Sequence, residues 1–388
     1  MDRPSYDGDG LVNLMARLGS ALGAPASPYP PLDPGVPLGL EEARTVILWV
    51  IDGLGDHYLG RHPDSALARD RVRGMSSVFP ATTSAALTSI ATGLPPRGHG
   101  VTGWFMYVHE LGAVTAWLPF GPRVGKGQWV DLEPDSAGLL ERETLWDRFD
   151  AETHVVQPEW LVDTPYSRAT TGRSARRHGY QGLEGLLETL TAIAHTPAGG
   201  RRRFVYAYWP ELDALCHQHG IESAAVQEHF QAVDGAWQRL LEGVQGTETV
   251  VLGIADHGLI DTAPERTLYL EDHPELAETL ALPLCGEPRA AYCYLRNGAE
   301  ADFQAYVRER LGHVCRAERS EELLAAGWFG PTPEHPQLRR RIGDWVLLPA
   351  EGWVIKDRLV GEGDFGQVGV HGGASAAEQR VPLIAARP

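Results

Sequence analysis

The stretch "TVILWVID", residues 45–52, is the clearest indication of the fold class of this chain. It is a continuous apolar and β-branched run that ends in an acid. Such a run is typical of a parallel strand that is buried on both faces. Two comparable runs follow, "FVYAYW" at residues 204–209 and "TVVLGIAD" at residues 249–256. Apolar residues at helical spacing lie before and between these two runs, at 183–193 and 226–240. The alternation predicts an α/β fold with a largely parallel sheet covered on both faces.

The rest of the chain divides around this core. Residues 1–40 predict a short amphipathic helix followed by a proline-rich connector. We expect residues 41–261 to form the first part of the α/β core and residues 351–388 its last part. Residues 262–350 carry their own strand-like run, "AAYCYLR", and a helix-like run, "ADFQAYVRERL", which indicate an inserted subdomain. Residues 101–150, rich in Gly, Trp and Pro, are expected to form loops over one end of the sheet.

Composition excludes several classes of protein. The net charge of −17 over 388 residues argues against a surface that coats nucleic acid, because phosphate repulsion would be uncompensated. The four cysteines show no C-x-x-C spacing, so neither a zinc ribbon nor a redox motif is indicated. No apolar stretch approaches the length of a membrane span, and the amino terminus lacks a signal pattern. We therefore expect a cytoplasmic location and no membrane partner.

Acids and histidines follow each of the three predicted strands. Asp52 ends the first run, and the second leads within a few residues to Asp213 and His217. Asp256 ends the third run and His257 follows it directly. Because ligands of open parallel sheets collect at the carboxyl ends of the strands, we expect these side chains to meet at one edge.

Each of these signals is weak by itself. A strand-terminal Asp such as Asp52 often caps the next helix, and the Asp213–His217 pair could simply hydrogen-bond across one helical turn. Together they form a set of carboxylate and imidazole ligands that suits zinc, manganese or iron better than calcium. Clustered carboxylates without cations would repel one another, so the set predicts a metal site.

A nucleophile candidate lies in "FPATTSAALTSIATG", residues 79–93. Thr83 is expected at or near the amino terminus of a helix, where free N–H groups and the helix dipole favour a phosphate or a developing alkoxide. The alternative is that Thr83 only caps this helix, a role that Thr82 or Ser84 would fill equally well.

The motifs together resemble the type I phosphodiesterase / nucleotide pyrophosphatase branch of the alkaline phosphatase superfamily. The resemblance runs from Asp52 to the carboxyl end. The family's motifs are a strand-terminal Asp, a Thr ten residues before a Gly, an "HG" pair, a D-x-x-x-H, a "DHG" and a late His-Gly. In family order they fall on Asp52, Thr83, His99-Gly100, Asp213/His217, Asp256-His257-Gly258 and His371.

The resemblance implies an alkaline-phosphatase-like three-layer α/β/α sandwich with a mostly parallel central sheet and inserted loops or a subdomain. It also implies two divalent metal ions, usually zinc and sometimes manganese or iron. One ion would be bound by Asp213, His217 and His371. The other would be bound by Asp52, Asp256 and His257, with the hydroxyl of Thr83 facing it.

The implied activity is hydrolysis of phosphate esters, in particular phosphodiester or nucleotide pyrophosphate bonds, through a phospho-threonine intermediate. The implied partner is a small phosphate ester, a class that includes nucleotides. One departure bears on the substrate: many members carry an Asn five residues after the "HG" histidine, where this chain has Trp104. Phosphomonoesterase and phosphonate hydrolase activities therefore stay open. A catalytically silent binding scaffold is the alternative of another class, and the seven retained positions, Thr83 and the six metal-ligand candidates, argue against it.

Overall fold

The computed structural model of the chain describes residues 2–197, 199–362 and 366–388. The strands, in chain order, are β1 (Thr45–Ile51), β2 (Arg71–Ser76), β3 (Phe105–Val108), β4 (Ala113–Ala116), β5 (Gly121–Pro122), β6 (Ala151–Pro158), β7 (Arg176–Tyr180), β8 (Arg202–Trp209), β9 (Thr249–Ile254), β10 (Ile260–Asp261), β11 (Thr267–Tyr269), β12 (Cys285–Glu287), β13 (Ala290–Cys293), β14 (Cys315–Arg319), β15 (Trp345–Pro349), β16 (Val354–Lys356), β17 (Gly369–Val370) and β18 (Arg380–Ala386).

The α-helices are α1 (Leu11–Ala21), α2 (Asp56–Leu59), α3 (Ala66–Arg69), α4 (Thr83–Thr92), α5 (Pro96–His99), α6 (Trp129–Leu132), α7 (Pro165–Thr171), α8 (Gly182–His195), α9 (Glu211–His219), α10 (Ala224–Gly243), α11 (Pro274–Thr279), α12 (Glu300–Tyr306), α13 (Ser320–Ala325), α14 (Leu338–Arg341) and α15 (Ala376–Gln379). Helix α12 continues as a π-helix over Val307–Leu311. Short 3-10 helices span Pro134–Leu139, Trp146–Arg148, Pro264–Arg266 and Leu270–Asp272.

The central sheet has seven strands in the described part of the chain, in the order β2-β18-β9-β1-β8-β6-β7. Strands β1, β6, β7, β8 and β9 pair in parallel, and β18 runs antiparallel to both of its neighbours. The three predicted apolar runs are β1, β8 and β9, and they lie side by side at its centre. All of their residues are buried, apart from the partly exposed first residue of β8.

Helices cover the central strands as the periodicity predicts. The predicted helices at 183–193 and 226–240 are α8 and α10, which pack against each other. Trp237 of α10 stacks on Trp49 of β1, with ring centroids 6.2 Å apart. Successive side chains of β1 point to opposite faces, so the contact of Trp49 with α10 shows that this helix covers one face of the sheet. The residues of β1 that point to the other face are also buried, so that face is covered too.

A second, antiparallel sheet has the strand order β14-β15-β13-β12-β3-β4-β5 among the described residues. Strands β12–β15 and helix α12 come from the predicted subdomain, where the strand-like and helix-like runs are confirmed. The prediction of loops over 101–150 was wrong, because β3, β4 and β5 form a meander that continues this sheet. These strands are too short to show an alternating pattern in the sequence. Strand β3 joins the sheet by pairing Phe105 with Gly286, which is distant in the chain, so local residues do not reveal it. The domain boundaries stay a prediction.

The amino-terminal segment packs on the core although it lies outside the motif pattern. Leu11, Leu14 and Leu18 of α1 are fully buried in the same apolar cluster as the central strands. The Asn13 side chain donates hydrogen bonds to the carbonyl oxygens of Tyr6 and Pro30, at 2.8 and 2.7 Å. The predicted helix is therefore an integral part of the α/β core.

None of the described helices has both the length and the apolar character needed to span a bilayer. The four cysteines are buried and form no disulfide bonds; these are Cys216, Cys285, Cys293 and Cys315.

The substitution Leu14→Ala tests whether α1 belongs to the core. Leu14 is 0% exposed, so its truncation should lower the free energy of unfolding by about 2–5 kcal/mol, measured by urea denaturation. Leu132→Ala is the matched control, because Leu132 is 52% exposed and its truncation should change stability by less than about 0.5 kcal/mol. Equal changes in the free energy of unfolding for the two substitutions would show that α1 does not contribute to the stability of the core.

Candidate active site

Three neighbouring strands end level at one edge of the central sheet. Strand β1 lies between β8 and β9, with Ile51 opposite Trp209 and Val50 opposite Ile254. Asp52, the start of α9 and the segment after β9 therefore meet at this edge, as the sequence predicts.

Asp213, His217 and His371 form one group of candidate metal ligands. His217 Nε2 lies 3.2 Å from one carboxylate oxygen of Asp213, and His371 Nε2 lies 4.0 Å from the other. Helix α9 places Asp213 and His217 one turn apart on the same face. His371 arrives from a distant part of the chain, directly after β17. The structure thus brings together the three residues that the sequence analysis assigned to this group.

Asp52, Asp256 and His257 form the second group. His257 Nε2 lies 3.3 Å from Asp52 Oδ1 and 3.4 Å from Asp256 Oδ2. Asp256 Oδ1 accepts hydrogen bonds from the backbone N–H groups of Gly53 and His257, at 3.2 and 3.0 Å. These bonds fix the Asp256 carboxylate so that Oδ2 faces the other two ligands.

Gly53 lets the two groups approach each other. Its φ of +75° is in the left-handed region, and a Cβ atom there would lie 2.8 Å from Leu259 Cδ1 and 3.1 Å from Asp213 Cα. A larger residue would therefore push α9, and with it Asp213, away from Asp52.

Each histidine presents the same ring nitrogen to its group. The Nδ1 atoms contact backbone carbonyl oxygens, which only accept hydrogen bonds, so each Nδ1 carries a hydrogen and Nε2 is the atom that can offer a lone pair to a metal. The contacts are His217 to Gly369 at 2.7 Å, His371 to Ala81 at 3.2 Å and His257 to Gly258 at 3.2 Å. Backbone partners of this kind are typical of histidines that bind metals.

The two groups adjoin one another. The rings of His257 and His371 stack with centroids 3.8 Å apart and an angle of 20° between their planes. His371 belongs to one group and His257 to the other, so the two candidate sites share a boundary.

The donor set fits a pair of cations. Among the buried atoms of the described residues that lack any hydrogen-bond partner are Asp52 Oδ1, Asp213 Oδ1 and Asp256 Oδ2. Each of these oxygens faces a histidine Nε2 of its own group. Leaving three such oxygens unpaired is costly unless a cation satisfies them. Oxygen and imidazole donors together suit zinc, manganese or iron.

The protonation equilibria reflect this crowding. Burial and the charges of Asp256 and Asp213 raise the pKa of Asp52 well above its usual value, and burial also raises the pKa of Asp256. Burial opposes protonation of His217, but the adjacent Asp213 carboxylate outweighs it and raises the His217 pKa to about 9. Burial likewise opposes ionisation of Asp213, yet its histidine neighbours hold its pKa below the ordinary range.

Thr83 stands beside the second group. It is the first residue of α4, and its Oγ1 lies 3.1 Å from His257 Nε2. The N-cap position is occupied by Thr82 rather than Thr83, and Thr82 precedes the helix in an extended conformation. The Thr82 side chain makes no capping hydrogen bond, so the first N–H groups of α4 keep no side-chain partner and can bind an anion.

A pocket of about 430 Å³ opens onto these groups. Thr83, Asp213, His217 and His371 line one side of it. Trp104, which is 37% exposed, lines the pocket and replaces the expected Asn there with a large aromatic side chain.

Two neighbours of the site did not follow from the sequence. Tyr208, near the end of β8, donates a hydrogen bond from its hydroxyl to Asp52 Oδ2. Glu287, at the end of β12, accepts hydrogen bonds from Thr82 and Trp104. Tyr208 could have been suspected from its place on a strand that leads into the site. Glu287 had no such signal, because it comes from the second sheet.

His99 has a structural use. Its Nε2 contacts the Ser89 hydroxyl at 2.9 Å, and its Nδ1 accepts a hydrogen bond from the N–H of Val101 at 3.0 Å. It holds the turn that follows α5.

The metal-free protein is expected to lose stability as the pH rises from about 6.5 to about 9. Folded His217 keeps its proton up to a pKa of about 9, while an unfolded histidine loses it near 6.5. The contribution of protonated His217 is therefore complete below the lower value and lost as the pH passes the upper one. The raised pKa of Asp52 acts in the same direction.

Urea denaturation in the presence of a chelator measures this dependence. The variant His217→Gln should show a smaller loss of stability over the same interval, because it has no proton to lose. A metal-free wild type that becomes more stable with rising pH would contradict the assignment.

Residues 46–374 match the protein family described as type I phosphodiesterase / nucleotide pyrophosphatase. Ectonucleotide pyrophosphatase/phosphodiesterase family member 3 of Rattus norvegicus is 24% identical over 259 residues, which are 63% of this chain and 28% of that protein. Family member 1 of Homo sapiens is 25% identical over 259 residues, 62% of this chain and 26% of that protein. The chain spans about a quarter of the length of these two relatives.

Solved structures show the same fold. Murine ectonucleotide pyrophosphatase/phosphodiesterase 5 superposes with a TM-score of 0.66 at 16% identity, and the match covers 88% of each chain. An inactive Thr→Ala form of that protein, in complex with AMP, has a TM-score of 0.65 at 16% identity and 87% coverage of each chain. The fold is thus the alkaline-phosphatase-like α/β fold with a mostly parallel central sheet, and the chain belongs to the type I phosphodiesterase / nucleotide pyrophosphatase family.

Proposed function

We propose that this protein is a metal-dependent hydrolase of phosphodiester or nucleotide pyrophosphate bonds that uses Thr83 as its nucleophile. One observation carries the proposal: the Thr83 hydroxyl, at the amino end of α4, lies 3.1 Å from a ligand nitrogen of one of two adjoining metal-ligand groups. The family description supports the reaction class. The inactive Thr→Ala form of the murine neighbour supports a threonine in this role.

The two ligand groups would each hold one divalent ion, for which we propose zinc, with manganese and iron as alternatives. Bound there, the ions would lower the pKa of the Thr83 hydroxyl and of water, and would neutralise charge on the phosphoryl group.

The residues of the chain then determine the course of the reaction. Thr83 Oγ1 attacks phosphorus, and the Oγ1–P bond forms as the bond from phosphorus to the ester oxygen breaks. The free N–H groups at the start of α4 donate to the nonbridging oxygens, where negative charge accumulates. Thr83 gives up its hydroxyl proton as Oγ1 bonds to phosphorus, the released oxygen takes up a proton in its place, and the phosphoryl group stays on Thr83.

The second half of the reaction restores the enzyme. Water attacks phosphorus from the side that the leaving group vacated, and the P–Oγ1 bond breaks. Thr83 recovers its hydroxyl proton and the phosphate product departs. The pocket beside Thr83 is wide enough for a leaving group of nucleotide size, since pockets of 300–1,000 Å³ generally hold small ligands. AMP in the murine neighbour supports a nucleotide substrate.

Two other functions compete with this proposal. A phosphomonoesterase or phosphonate hydrolase would use the same groups, and Trp104 at the Asn position keeps both open. A silent scaffold would have no reason to keep three buried unpaired carboxylate oxygens around a threonine hydroxyl, because that arrangement costs stability.

Tyr208→Phe tests the support of the second ligand group. The substitution removes the hydrogen bond that orients Asp52, and should lower metal affinity by about tenfold or more, measured by titration calorimetry. Tyr206→Phe is a matched control, since Tyr206 is a buried residue on the same face of β8 and its hydroxyl makes no hydrogen bond to a described ligand residue. Unchanged affinity in Tyr208→Phe would remove this residue from the site.

Thr83→Ala tests the mechanism. Turnover of bis-p-nitrophenyl phosphate should fall by about 10³-fold or more, because the substitution removes the hydroxyl that lies next to His257. Metal content should stay near that of the wild type, since Thr83 is not among the six ligands. A variant that keeps most of its activity would exclude Thr83 as nucleophile.

The wild-type protein should hydrolyse bis-p-nitrophenyl phosphate faster than p-nitrophenyl phosphate when loaded with zinc. The reverse preference would favour the phosphomonoesterase alternative. Absence of turnover of both esters with every metal tried would favour the scaffold.

A further inference from the structure

Glu287 places a carboxylate of the second sheet in the wall of the active-site pocket. It ends β12, is 7% exposed, and lines the pocket together with Thr83, His217 and His371. Its charge interacts with those of His217 and Asp213. Glu287 therefore lies next to the reacting groups although it belongs to neither ligand group.

Hydrogen bonds hold one oxygen of Glu287 in place. Oε1 accepts one from the Thr82 hydroxyl and one from the backbone N–H of Trp104, both at 2.6 Å. The first of these draws the Thr82 hydroxyl away from the start of α4, which explains why Thr82 does not cap the helix. Glu287 thereby keeps the N–H groups beside Thr83 open to an anion.

The stem of Glu287 is held equally closely. It packs against the backbone of Gly372, where a Cβ atom would lie 2.6 Å from Glu287 Cβ. Gly372 directly follows His371, so the Glu287 side chain is positioned against the loop that carries a metal ligand. Its location in the pocket is fixed from three sides.

No arginine or lysine of the described residues forms a salt bridge with Glu287, and the positive charge that acts on it is that of His217. Both of its hydrogen bonds reach Oε1. The buried Glu378, by contrast, pairs with Arg289 at 3.0 Å. Burial raises the pKa of Glu287 to about 7, and the two hydrogen bonds offset this only in part. Divalent ions in the adjoining groups would favour its ionised form.

We propose that Glu287 is a specificity-determining residue that makes the site select singly charged phosphodiesters over doubly charged phosphomonoesters. The inference rests on the proposed function. With two divalent ions bound, the three ligand carboxylates would leave one net positive charge at the metal pair, and the Glu287 carboxylate would offset it. The second negative charge of a monoester dianion then gains no attraction from the site and is repelled by Glu287, while a diester is less affected.

A structural role alone would give a different result on substitution. Glutamine at this position keeps an acceptor oxygen for Thr82 and Trp104 and keeps the volume of the side chain, but removes the charge. If Glu287 only held these loops in place, Glu287→Gln would leave the relative rates for the two esters unchanged. If its charge selects the substrate, the two rates change unequally.

The experiment compares kcat/KM for p-nitrophenyl phosphate and bis-p-nitrophenyl phosphate in the zinc-loaded wild type and Glu287→Gln. The ratio of monoester to diester should rise by about tenfold or more in the variant. Glu133→Gln is the control for total charge, since Glu133 is exposed and lies outside the pocket lining. Its ratio should equal that of the wild type.

A binding measurement gives an independent readout. In the non-hydrolysing Thr83→Ala background, adding Glu287→Gln should strengthen calorimetric binding of the monoester relative to the diester. A ratio of rates and a ratio of affinities that both stay within twofold of the parent values would overturn the role of Glu287 while leaving the hydrolase function intact. A wild type that hydrolyses neither ester would overturn the proposed function and this inference with it.

Discussion

Three carboxylates and three imidazoles are buried side by side in this fold, and their burial is energetically costly. Carboxylates at Asp52, Asp213 and Asp256 repel one another and lose water, and the raised pKa values of Asp52 and Asp256 record that cost. The Asp213–His217 pair compensates only one of them. Two divalent ions would compensate all three, so metal binding would stabilise the folded protein.

The α/β core holds this cluster because its strands end level. Strands β1, β8 and β9 are locked in parallel register by continuous pairing and by burial on both faces, so their carboxyl ends cannot move independently. Hydrogen bonds from Nδ1 to backbone carbonyls orient the rings of His217 and His371. The positions of these two imidazoles are therefore set by the main chain.

The second sheet supplies the opposite wall of the pocket. It contributes Glu287 from β12 and Phe105 from β3, and Arg123 closes one side, where its guanidinium lies 4.3 Å above the Phe105 ring and pairs with Asp357. The candidate ligand groups and this wall of the pocket thus come from different parts of the fold. Under the proposed function, substitutions in the second sheet would alter substrate preference and leave the ligand groups in place.

The central strands could be predicted from the sequence, as could the helices packed on them and the acids and histidines at their ends, because burial on both faces and helical spacing leave local patterns. His371 was predicted as a metal ligand only from the resemblance to the family, because its glycine-rich loop alone is typical of a turn. Three features became apparent only in the folded protein: strands β3–β5, the hydrogen bond from Tyr208 to Asp52, and the place of Glu287. Each of these depends on a partner far away in the chain, and pairing between distant segments has no period in the sequence.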